Sequence, residues 1–334
     1  MSRGPVVGIY GAGGHTARLV ARELKARGLE MRLAARQRNA EAVAAEIGCE
    51  LELFEATDAA ALTRFVAGLA VLVNCAGPFG ATAPLLARAA INGGVHYIDV
   101  TGEPPVVELL CRELDKAAAL AGSYVVPAAG FFGALPDALA SATVAQSPQA
   151  QTVEIAYFLS SWAMTRGSGL AAQGLRGRQY RYENGRLIQS EEAPRLSRHV
   201  FPAPIGDIAV LDRYPSPEVV LTPRHLGIRN ATAVMSASTF AVPQDQYGIG
   251  EQEFVVEVQA SGEEVCRRSV AAGRDIYAIS APIVGETVHR LLSTKLAKGG
   301  VATPAQLFPP AEFLSALADR FSRLEIGNRV LRAS

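Results

Sequence analysis

The sequence lacks most of the features that mark secreted, metal-binding and nucleic-acid-binding proteins. Its four cysteines lie far apart with no CxxC spacing, which argues against a disulfide framework or a zinc site and favours reduced thiols in a cytoplasmic protein. Its five histidines form no HxxxH pair, so we expect no bound metal. The 32 basic and 32 acidic residues give a formal net charge of +0, so no global field would attract nucleic acid or an anionic membrane.

Long apolar runs are also missing. The longest, such as Leu69 to Cys75, fall far short of the roughly 18 to 20 residues that span a bilayer. Because the first predicted strand begins by Val6, we expect no signal peptide ahead of it. The 334 residues, 49% hydrophobic and 19% charged, suffice for two domains with substantial cores. They indicate a soluble enzyme with a small-molecule substrate, no nucleic-acid partner and no membrane span.

The most informative segment is a glycine-rich turn near the start of the chain. The apolar strand Val6 to Tyr10 leads directly into this turn, and an amphipathic helix follows it. That order predicts a dinucleotide site, because the glycines let bare backbone approach a pyrophosphate and the helix N-terminus offers unpaired N–H groups to it. An ordinary strand-to-helix turn is the alternative. The residues predicted to contact the phosphates are Gly11, Ala12, Gly13, Gly14, His15 and Thr16.

The glycines fit two registers. Gly11-x-Gly13-x-x-Thr16 is the usual Rossmann fingerprint with its last glycine replaced. Gly11-x-x-Gly14-x-x-Ala17 is the spacing of reductases whose helix starts slightly later. We favour the second register, since Ala17 is small enough for close packing of helix on strand.

The end of the second predicted strand indicates which dinucleotide binds. NAD sites usually place an acidic residue about twenty residues after the fingerprint, to hold the ribose 2′-hydroxyl. Residues 31–40 contain no acid, and Arg36 and Arg38 stand there instead. Because a guanidinium suits a 2′-phosphate, the sequence predicts NADP. The alternative is a solvated helix start that carries two basic residues.

Strands and helices alternate through the first third of the chain, as in stacked βαβ units. The pattern predicts six strands, with helices between them that include segments at about 84–92 and 105–121. Asp58 is an N-cap candidate for the third helix, and at this position it could also contact the adenine amine. The fold class is therefore α/β, with an N-terminal Rossmann-type, doubly wound sheet and a second, α+β domain.

Two loops follow the fourth and fifth strands, at the edge of an open parallel sheet where ligands bind. One runs from Asn74 to Gly80 and the other from Asp99 to Glu103. Small residues, a proline and an aromatic side chain would let a nicotinamide ring pass close to the backbone, although simple turn chemistry explains the same residues. We add four residues of the first loop to the cofactor site: Ala76, Gly77, Pro78 and Phe79.

Three motifs resemble those of the saccharopine dehydrogenase-like oxidoreductase family, which includes trans-acting enoyl reductases. They are Gly77-Pro78-Phe79, the run from Tyr97 to Glu103 that matches YxDxTGE, and the run from Gly130 to Asp137 that resembles GFDSxPxD. The likeness continues through Asp275-Ile276-Tyr277 to Phe313-Leu314. One departure is that Phe132-Gly133 replaces the family's Asp-Ser pair, which removes two polar groups near the presumed substrate cleft.

The resemblance implies three regions. They are an NADP-binding Rossmann domain over 1–127, an α+β substrate and dimerisation domain over 128–280, and C-terminal helices over 281–334 that return to the first domain. The sequence agrees, because the alternation of strand and helix stops near Ala128 and strands dominate afterwards. We predict strands at 152–160, 180–188, 218–222, 232–239 and 254–259, with Asn184-Gly185 as a hairpin turn. A homodimer through the second domain is a further expectation.

The candidate proton donors are Tyr97, Asp99 and Glu103 at the sheet edge, faced by Asp137, Trp162, Arg166 and His225. Each also has a structural alternative, as a cap or a core residue. The predicted substrate pocket contains Thr101, Phe131, Phe132, Trp162 and Arg166. The segment from Arg166 to Gln173 would offer N–H donors to an oxyanion or form a flexible cap.

Three functions remain open from the sequence. The first is an NADPH-dependent reductase of an activated C=C bond in a small, largely neutral substrate. The second is a reductase or dehydrogenase acting on a C–N bond, whose carboxylate-bearing substrates would need an arginine clamp such as Arg176, Arg178 and Arg181. The third is an NADP-binding sensor or complex subunit without turnover.

Overall fold

The computed structural model describes residues 4–193, 195–241, 248–263 and 265–330. The outer ends of the first and last predicted regions, residues 1–3 and 331–334, lie outside these ranges. The proposed boundaries after residues 127 and 280 stay predictions.

The first sheet is parallel throughout and has seven strands. Six come from the N-terminal third: β1 (Val6–Tyr10), β2 (Glu30–Ala35), β3 (Glu50–Leu53), β4 (Val71–Asn74), β5 (His96–Asp99) and β6 (Tyr124–Val126). The seventh, β15 (Gly300–Val301), comes from the C-terminal region and pairs with β6. The strand order is β15-β6-β5-β4-β1-β2-β3, so the order reverses between β1 and β4 and opens a crevice there.

Five helices connect these strands: α1 (His15–Ala26), α2 (Glu41–Ile47), α3 (Ala59–Val66), α4 (Phe79–Asn92) and α5 (Pro104–Ala121). Buried apolar residues line one side of each, as amphipathic helices on a buried sheet require. Helix α4 begins five residues earlier than predicted. The prediction placed Pro84 in the first turn, whereas Pro84 lies inside the helix and Pro78 stands at its N-cap.

The second sheet is mixed. Its strands are β7 (Thr152–Leu159), β8 (Gln179–Glu183), β9 (Arg186–Ser190), β10 (Leu196–Phe201), β11 (Gly206–Leu211), β12 (Asn230–Ser236), β13 (Glu253–Ser261), β14 (Cys266–Arg274) and β16 (Arg323–Val330). The main order is β10-β11-β12-β7-β13-β14-β16, with the β8–β9 hairpin attached to β12. Only the pair of β12 and β7 runs parallel among the described pairs. The predicted fold class, a Rossmann-type sheet plus a second α+β unit, is confirmed.

The remaining helices pack between and around the two sheets: α6 (Ala134–Ala145), α7 (Arg166–Gly174), α8 (Glu218–Leu221), α9 (Pro223–Leu226), α10 (Ile276–Ser293), α11 (Pro304–Leu307) and α12 (Pro310–Ser315). One hydrophobic cluster continues from β1 and α1 through α6 and α10 to β7 and β13. Helix α10 lies on α1, where Glu286 accepts a 3.0 Å hydrogen bond from Arg27. The second sheet is therefore held against the Rossmann layer by a shared core.

The strand predicted at 218–222 is wrong. Residues Glu218–Leu221 form the short helix α8, flanked by Pro217 and Pro223, and all four are buried. The β-branched valines suggested a strand, but tertiary packing overrides such a weak local preference. The strands β10, β11, β14 and β16 were not predicted.

Within the described ranges, no helix is both long enough and apolar enough to cross a membrane.

Candidate functional site

Two connected cavities lie at the carboxyl edge of the first sheet. The larger, which we call the groove, has a volume of about 700 Å³ and runs over the β1–α1 turn. The smaller, which we call the cavity, has a volume of about 150 Å³ and lies between the loops after β4 and β5 and the second sheet. Five described residues line both: Thr16, Cys75, Gly77, Thr165 and Gly167. We call this shared boundary the junction.

The groove is built on glycines at which a side chain would meet close neighbouring atoms. Gly11 has φ +88°, and a Cβ there would lie 2.8 Å from the backbone N of Ala76. A Cβ on Gly13 would overlap the side chain of Asn39. Gly14 is the N-cap of α1, and a Cβ there would lie 3.2 Å from the carbonyl oxygen of Gly11. The helix thus begins at His15, as the second predicted register requires, and Ala17 is buried.

The first turn of α1 suits an anion. Its N-cap offers no side-chain acceptor, and the turn contains no acidic residue. Gly13, Gly14, His15 and Thr16 line the groove at this point. Because the free N–H groups of a helix N-terminus bind phosphate, these residues fit the pyrophosphate of a dinucleotide. Ala12, also predicted here, is buried and lies outside the groove's lining.

The two predicted arginines occupy different places. Arg36 lines the groove, and its guanidinium lies 3.9 Å from the carboxylate of Glu55. Arg38 points away into solvent, where it pairs with Glu41 at 2.9 Å. A cation at the groove fits a 2′-phosphate, and only Arg36 of this pair supplies one. Asp58 accepts a hydrogen bond from the N–H of Ala61 and caps α3, and it is not among the described residues that line the groove.

The cavity carries no charged side chain among its described lining residues. Its walls are aromatic and small: Phe79, Phe131, Phe132, Trp162 and Tyr214 contribute with alanines and glycines. Burial raises the pKa of the Cys75 thiol to about 12, so this group is neutral too. The cavity is therefore uncharged and mainly apolar, with hydroxyl groups among its polar side chains.

Phe132 stands at the centre of the aromatic wall. Its ring centroid lies 5.2 Å from Tyr157, 5.7 Å from Trp162 and 6.1 Å from Tyr214. Such spacing is typical of packed aromatic clusters. The family's Asp-Ser pair is thus replaced by a wall residue and by Gly133, whose φ of +88° no side chain adopts easily.

Two predicted pocket residues lie elsewhere. Thr101 is buried in its loop, where its hydroxyl accepts a hydrogen bond from the N–H of Glu103, while its neighbours Val100 and Gly102 line the cavity. Arg166 is exposed at the first residue of α7 and lines the groove instead of the cavity. Its charge therefore faces the region assigned to the cofactor.

Tyr97 and Asp99 form a buried network beneath the cavity. The Tyr97 hydroxyl accepts from the amide of Asn74 and donates to Asp99, both at 3.0 Å. Asp99 also accepts from the N–H groups of Thr101 and Ala128. Burial raises the pKa of Asp99 to about 6. The side chains of Asn74, Tyr97 and Asp99 are fully buried and lie outside the described lining of either cavity. Their hydrogen bonds hold the loops after β4 and β5 in place. The catalytic role of Tyr97 and Asp99 stays a prediction.

Glu103 faces the start of α4. Its carboxylate accepts a 3.0 Å hydrogen bond from the N–H of Phe79, so it caps a helix from a different loop. Burial raises its pKa.

Asp137 and His225 lie together but apart from the cavity's described lining. Asp137 accepts from Thr222 at 2.7 Å and lies 2.9 Å from the Nε2 atom of His225. These contacts tie α6 to α9. Sequence reasoning missed a second buried acid, Glu218, which accepts a 2.6 Å hydrogen bond from Tyr157 behind the aromatic wall.

Sequence reasoning also missed Tyr277 as a site residue, although it quoted the Asp275-Ile276-Tyr277 motif. Asp275 caps α10 through the N–H groups of Tyr277 and Ala278. This places Tyr277 in the first turn of α10, where its ring lines the cavity and stands edge-on to His15 at 5.4 Å. The motif was the available signal in the sequence. The packing of α10 against α1 determines that Tyr277 lies at the cavity.

The comparisons with known proteins agree with this geometry. Residues 7–126 match the family model of the saccharopine dehydrogenase NADP binding domain. A saccharopine dehydrogenase-like oxidoreductase of Bos taurus is 30% identical over 89 residues, which cover 27% of this chain and 20% of the bovine protein. A lipid droplet localized protein of Caenorhabditis elegans is 29% identical over 77 residues, covering 23% of this chain and 18% of that protein. The matched stretches thus span about a fifth of the length of these relatives. The cytoplasmic location expected from the sequence stays a prediction.

A solved structure shares the whole fold. The apo saccharopine dehydrogenase (L-Glu forming) of Saccharomyces cerevisiae superposes with a TM-score of 0.69 over 96% of this chain and 99% of that one, at 14% identity. The resemblance read from the motifs is confirmed for residues 7–126, which match the saccharopine dehydrogenase NADP binding domain, and the solved structure confirms the fold.

Proposed function

We propose that this protein is an NADP-dependent oxidoreductase that reduces an activated C=C bond in a small, uncharged substrate. The observation that carries the proposal is the junction between a groove that fits a dinucleotide and an apolar cavity next to it. A nucleotide extended from the β1–α1 turn across the strand-order switch would bring its nicotinamide to this junction. When bound, NADPH supplies a hydride.

The residues of the chain provide orientation and exclude water. Cys75 and Gly77, from the loop after β4, form one side of the junction, and Thr165 and Gly167, at the start of α7, form the other. The aromatic wall around Phe132 closes the cavity from the second sheet. Enclosure of this kind strengthens electrostatic interactions and suppresses side reactions.

The chemistry of the lining supports a neutral substrate. A substrate derived from an amino acid would bring carboxylates into the cavity, where burying an unpaired charge is expensive. Arg176, Arg178 and Arg181, the clamp expected for such a substrate, are absent from the described lining of both cavities. The cavity volume of about 150 Å³ is of the order that holds one benzene-sized molecule. An enone or a similar activated alkene meets both conditions.

The proposal is tested by a matched pair of substrates. We would measure NADPH oxidation with 2-cyclohexenone and with 3-oxocyclohexene-1-carboxylate, which share the reacting ring and differ by one carboxylate. An imine made from 2-oxoglutarate and an amine is the third compound. We expect turnover of the neutral enone to exceed that of both charged compounds. Faster reduction of the dicarboxylate imine would favour C–N chemistry, and no oxidation with any compound would favour a binding protein without turnover.

A further inference from the structure

The hydroxyl of Tyr277 is held by three partners at the wall of the cavity. It accepts hydrogen bonds from the indole N–H of Trp162 at 3.1 Å and from the backbone N–H of Thr165 at 3.2 Å. It donates to the hydroxyl of Ser168 at 3.0 Å. Trp162, Thr165, Ser168 and Tyr277 all line the cavity.

This arrangement stabilises negative charge that develops on the phenol oxygen as its proton leaves. Two N–H groups already point at the oxygen, and hydrogen bonds donated to a charged form stabilise it. An indole N–H and a backbone N–H cannot accept a proton, so they stay donors whichever form the phenol takes. The cost of phenolate formation is therefore offset by groups that need no rearrangement.

Ser168 connects the phenol to the cavity. Its hydroxyl accepts a hydrogen bond from the hydroxyl of Tyr277, and it also lies 2.9 Å from the hydroxyl of Thr165. Thr165 accepts from the N–H of Ser168 as the N-cap of α7, which fixes both side chains. If Thr165 is the donor of the 2.9 Å pair, the proton of Ser168 is free to point into the cavity.

We propose that Tyr277 is the proton donor of the reduction and that Ser168 passes its proton to the substrate. The inference rests on the proposed function. The hydride and its electron pair add to the β-carbon of the enone, and the α-carbon of the resulting enolate takes the proton of Ser168. Ser168 takes the proton of Tyr277, the phenolate stays bound to Trp162 and Thr165, and water reprotonates it before the next turnover.

Other hydroxyls at the cavity are less suited. Ser280 accepts from the N–H of Phe131 and donates to the carbonyl of Ile276, so its proton is engaged. Tyr214 is the second phenol of the lining, and no described group donates a hydrogen bond to its oxygen. Burial and the charge of Glu218 raise the pKa of Tyr214, which makes it a weaker acid.

The first test compares Tyr→Phe variants with the substrate that the wild type reduces. General acid catalysis is worth about 100-fold or more, so Tyr277→Phe should lower kcat by at least that factor. Its Kd for NADPH should stay within about twofold, since the substitution keeps the ring that faces His15 and removes only the hydroxyl. The factor by which Tyr214→Phe lowers kcat should be at least about tenfold smaller than the factor for Tyr277→Phe. Tyr182→Phe, outside the described lining of both cavities, controls for the substitution itself.

A positioning variant separates proton donation from packing. Trp162→Phe keeps an aromatic ring and removes one N–H donor to Tyr277. We expect an intermediate loss in kcat and a pH profile in which the limb assigned to the phenol moves to higher pH. A packing defect alone would leave the pH profile in place.

The second readout needs no substrate. With tyrosine labelled with ¹³C at the carbon that bears the hydroxyl, NMR follows each phenol as it ionises. The resonances of Tyr277 and Tyr214 are assigned by their loss in the two Phe variants. We expect Tyr277 to ionise at lower pH than Tyr214, and the opposite order would overturn the inference.

The outcomes separate the two claims. If the wild type reduces the enone and Tyr277→Phe keeps its kcat, the proton donor is misassigned while the proposed function stands. If the wild type oxidises NADPH with none of the compounds, the proposed function fails and the inference fails with it.

Discussion

The carboxylate of Glu103 accepts a 3.0 Å hydrogen bond from the backbone N–H of Phe79, and this contact joins the loop after β5 to the first residue of α4. Phe79 in turn lines the cavity. The contact therefore fixes two loops of the site relative to each other with a single carboxylate oxygen.

This contact predicts how Glu103 variants behave. Glu103→Ala removes the acceptor at a helix start, and loss of such a cap costs about 1 kcal/mol of unfolding free energy. Glu103→Gln keeps a carbonyl oxygen at the same place, so its stability in urea denaturation should stay close to that of the wild type. Because this role is structural, kcat of Glu103→Gln should stay close to that of the wild type. A collapse of kcat in a stable Glu103→Gln protein would instead show that the carboxyl group takes part in proton transfer.

Asp99 predicts a pH dependence of stability. Burial raises its pKa from 3.8 to about 6, so the folded state binds the proton more tightly than the unfolded state. The contribution of Asp99 is therefore most favourable below pH 3.8 and is lost as the pH rises to about 6. Asp99→Asn has no such titration. The difference in unfolding free energy between wild type and Asp99→Asn should change across this window and stay flat above it. A constant difference from pH 4 to pH 7 would contradict the buried environment of Asp99.

The environment of His199 predicts that its contribution to stability is lost in a different, more alkaline pH range. Burial opposes its charged form, but hydrogen bonds to Glu154 and Glu257 outweigh burial and raise the pKa to about 9. The charged imidazole ties β10 to the face of β7 and β13. Its stabilising contribution is complete below pH 6.5 and is lost as the pH rises through about 9. His199→Gln should lower the unfolding free energy at pH 6 more than at pH 10. Equal losses at the two values would show that the imidazole is not charged there.

The two arginines after β2 offer a matched pair for the cofactor. We expect NADPH to bind at least about tenfold more tightly than NADH, since one good charged contact contributes roughly 1.5 to 3 kcal/mol. Arg36→Ala should remove most of this preference, because Arg36 lines the groove. Arg38→Ala should keep it, because Arg38 pairs with Glu41 outside the groove. Calorimetric titration of both nucleotides into the wild type and the two variants measures all six affinities. Equal losses in the two variants would show that the arginines act only through long-range charge.

The sequence was sufficient for the parts of the site that local patterns encode. The strand, the glycine turn and the helix that follow one another from Val6 onward predicted the dinucleotide turn. Crowding by backbone at Gly11 and Gly14, and by the side chain of Asn39 at Gly13, explains why glycines stand there. The absence of an acid after β2 predicted NADP, and residues 7–126 match an NADP-binding domain.

Contacts between distant residues were beyond the reach of local patterns. Glu103 and Phe79 are 24 residues apart, and Tyr277 and Trp162 are 115 apart, so neither pair has a periodic signal. The helix at Glu218 appeared as a strand because its valines favour strands. Its true conformation depends on burial against α5 and β8. Many predicted site residues therefore line the groove or the cavity, while the direction of each side chain depends on the second sheet and on α10.

The central claim is that the cavity receives a neutral alkene and that hydride comes from the nucleotide in the groove. The most direct measurement uses NADPH labelled with deuterium at C4, in both stereoisomers, with 2-cyclohexenone in ordinary water. The account predicts that one isomer places its deuterium at the β-carbon of cyclohexanone, while the proton at the α-carbon comes from water. Cyclohexenone that stays unreduced while an imine carrying carboxylates gains the deuterium would contradict it.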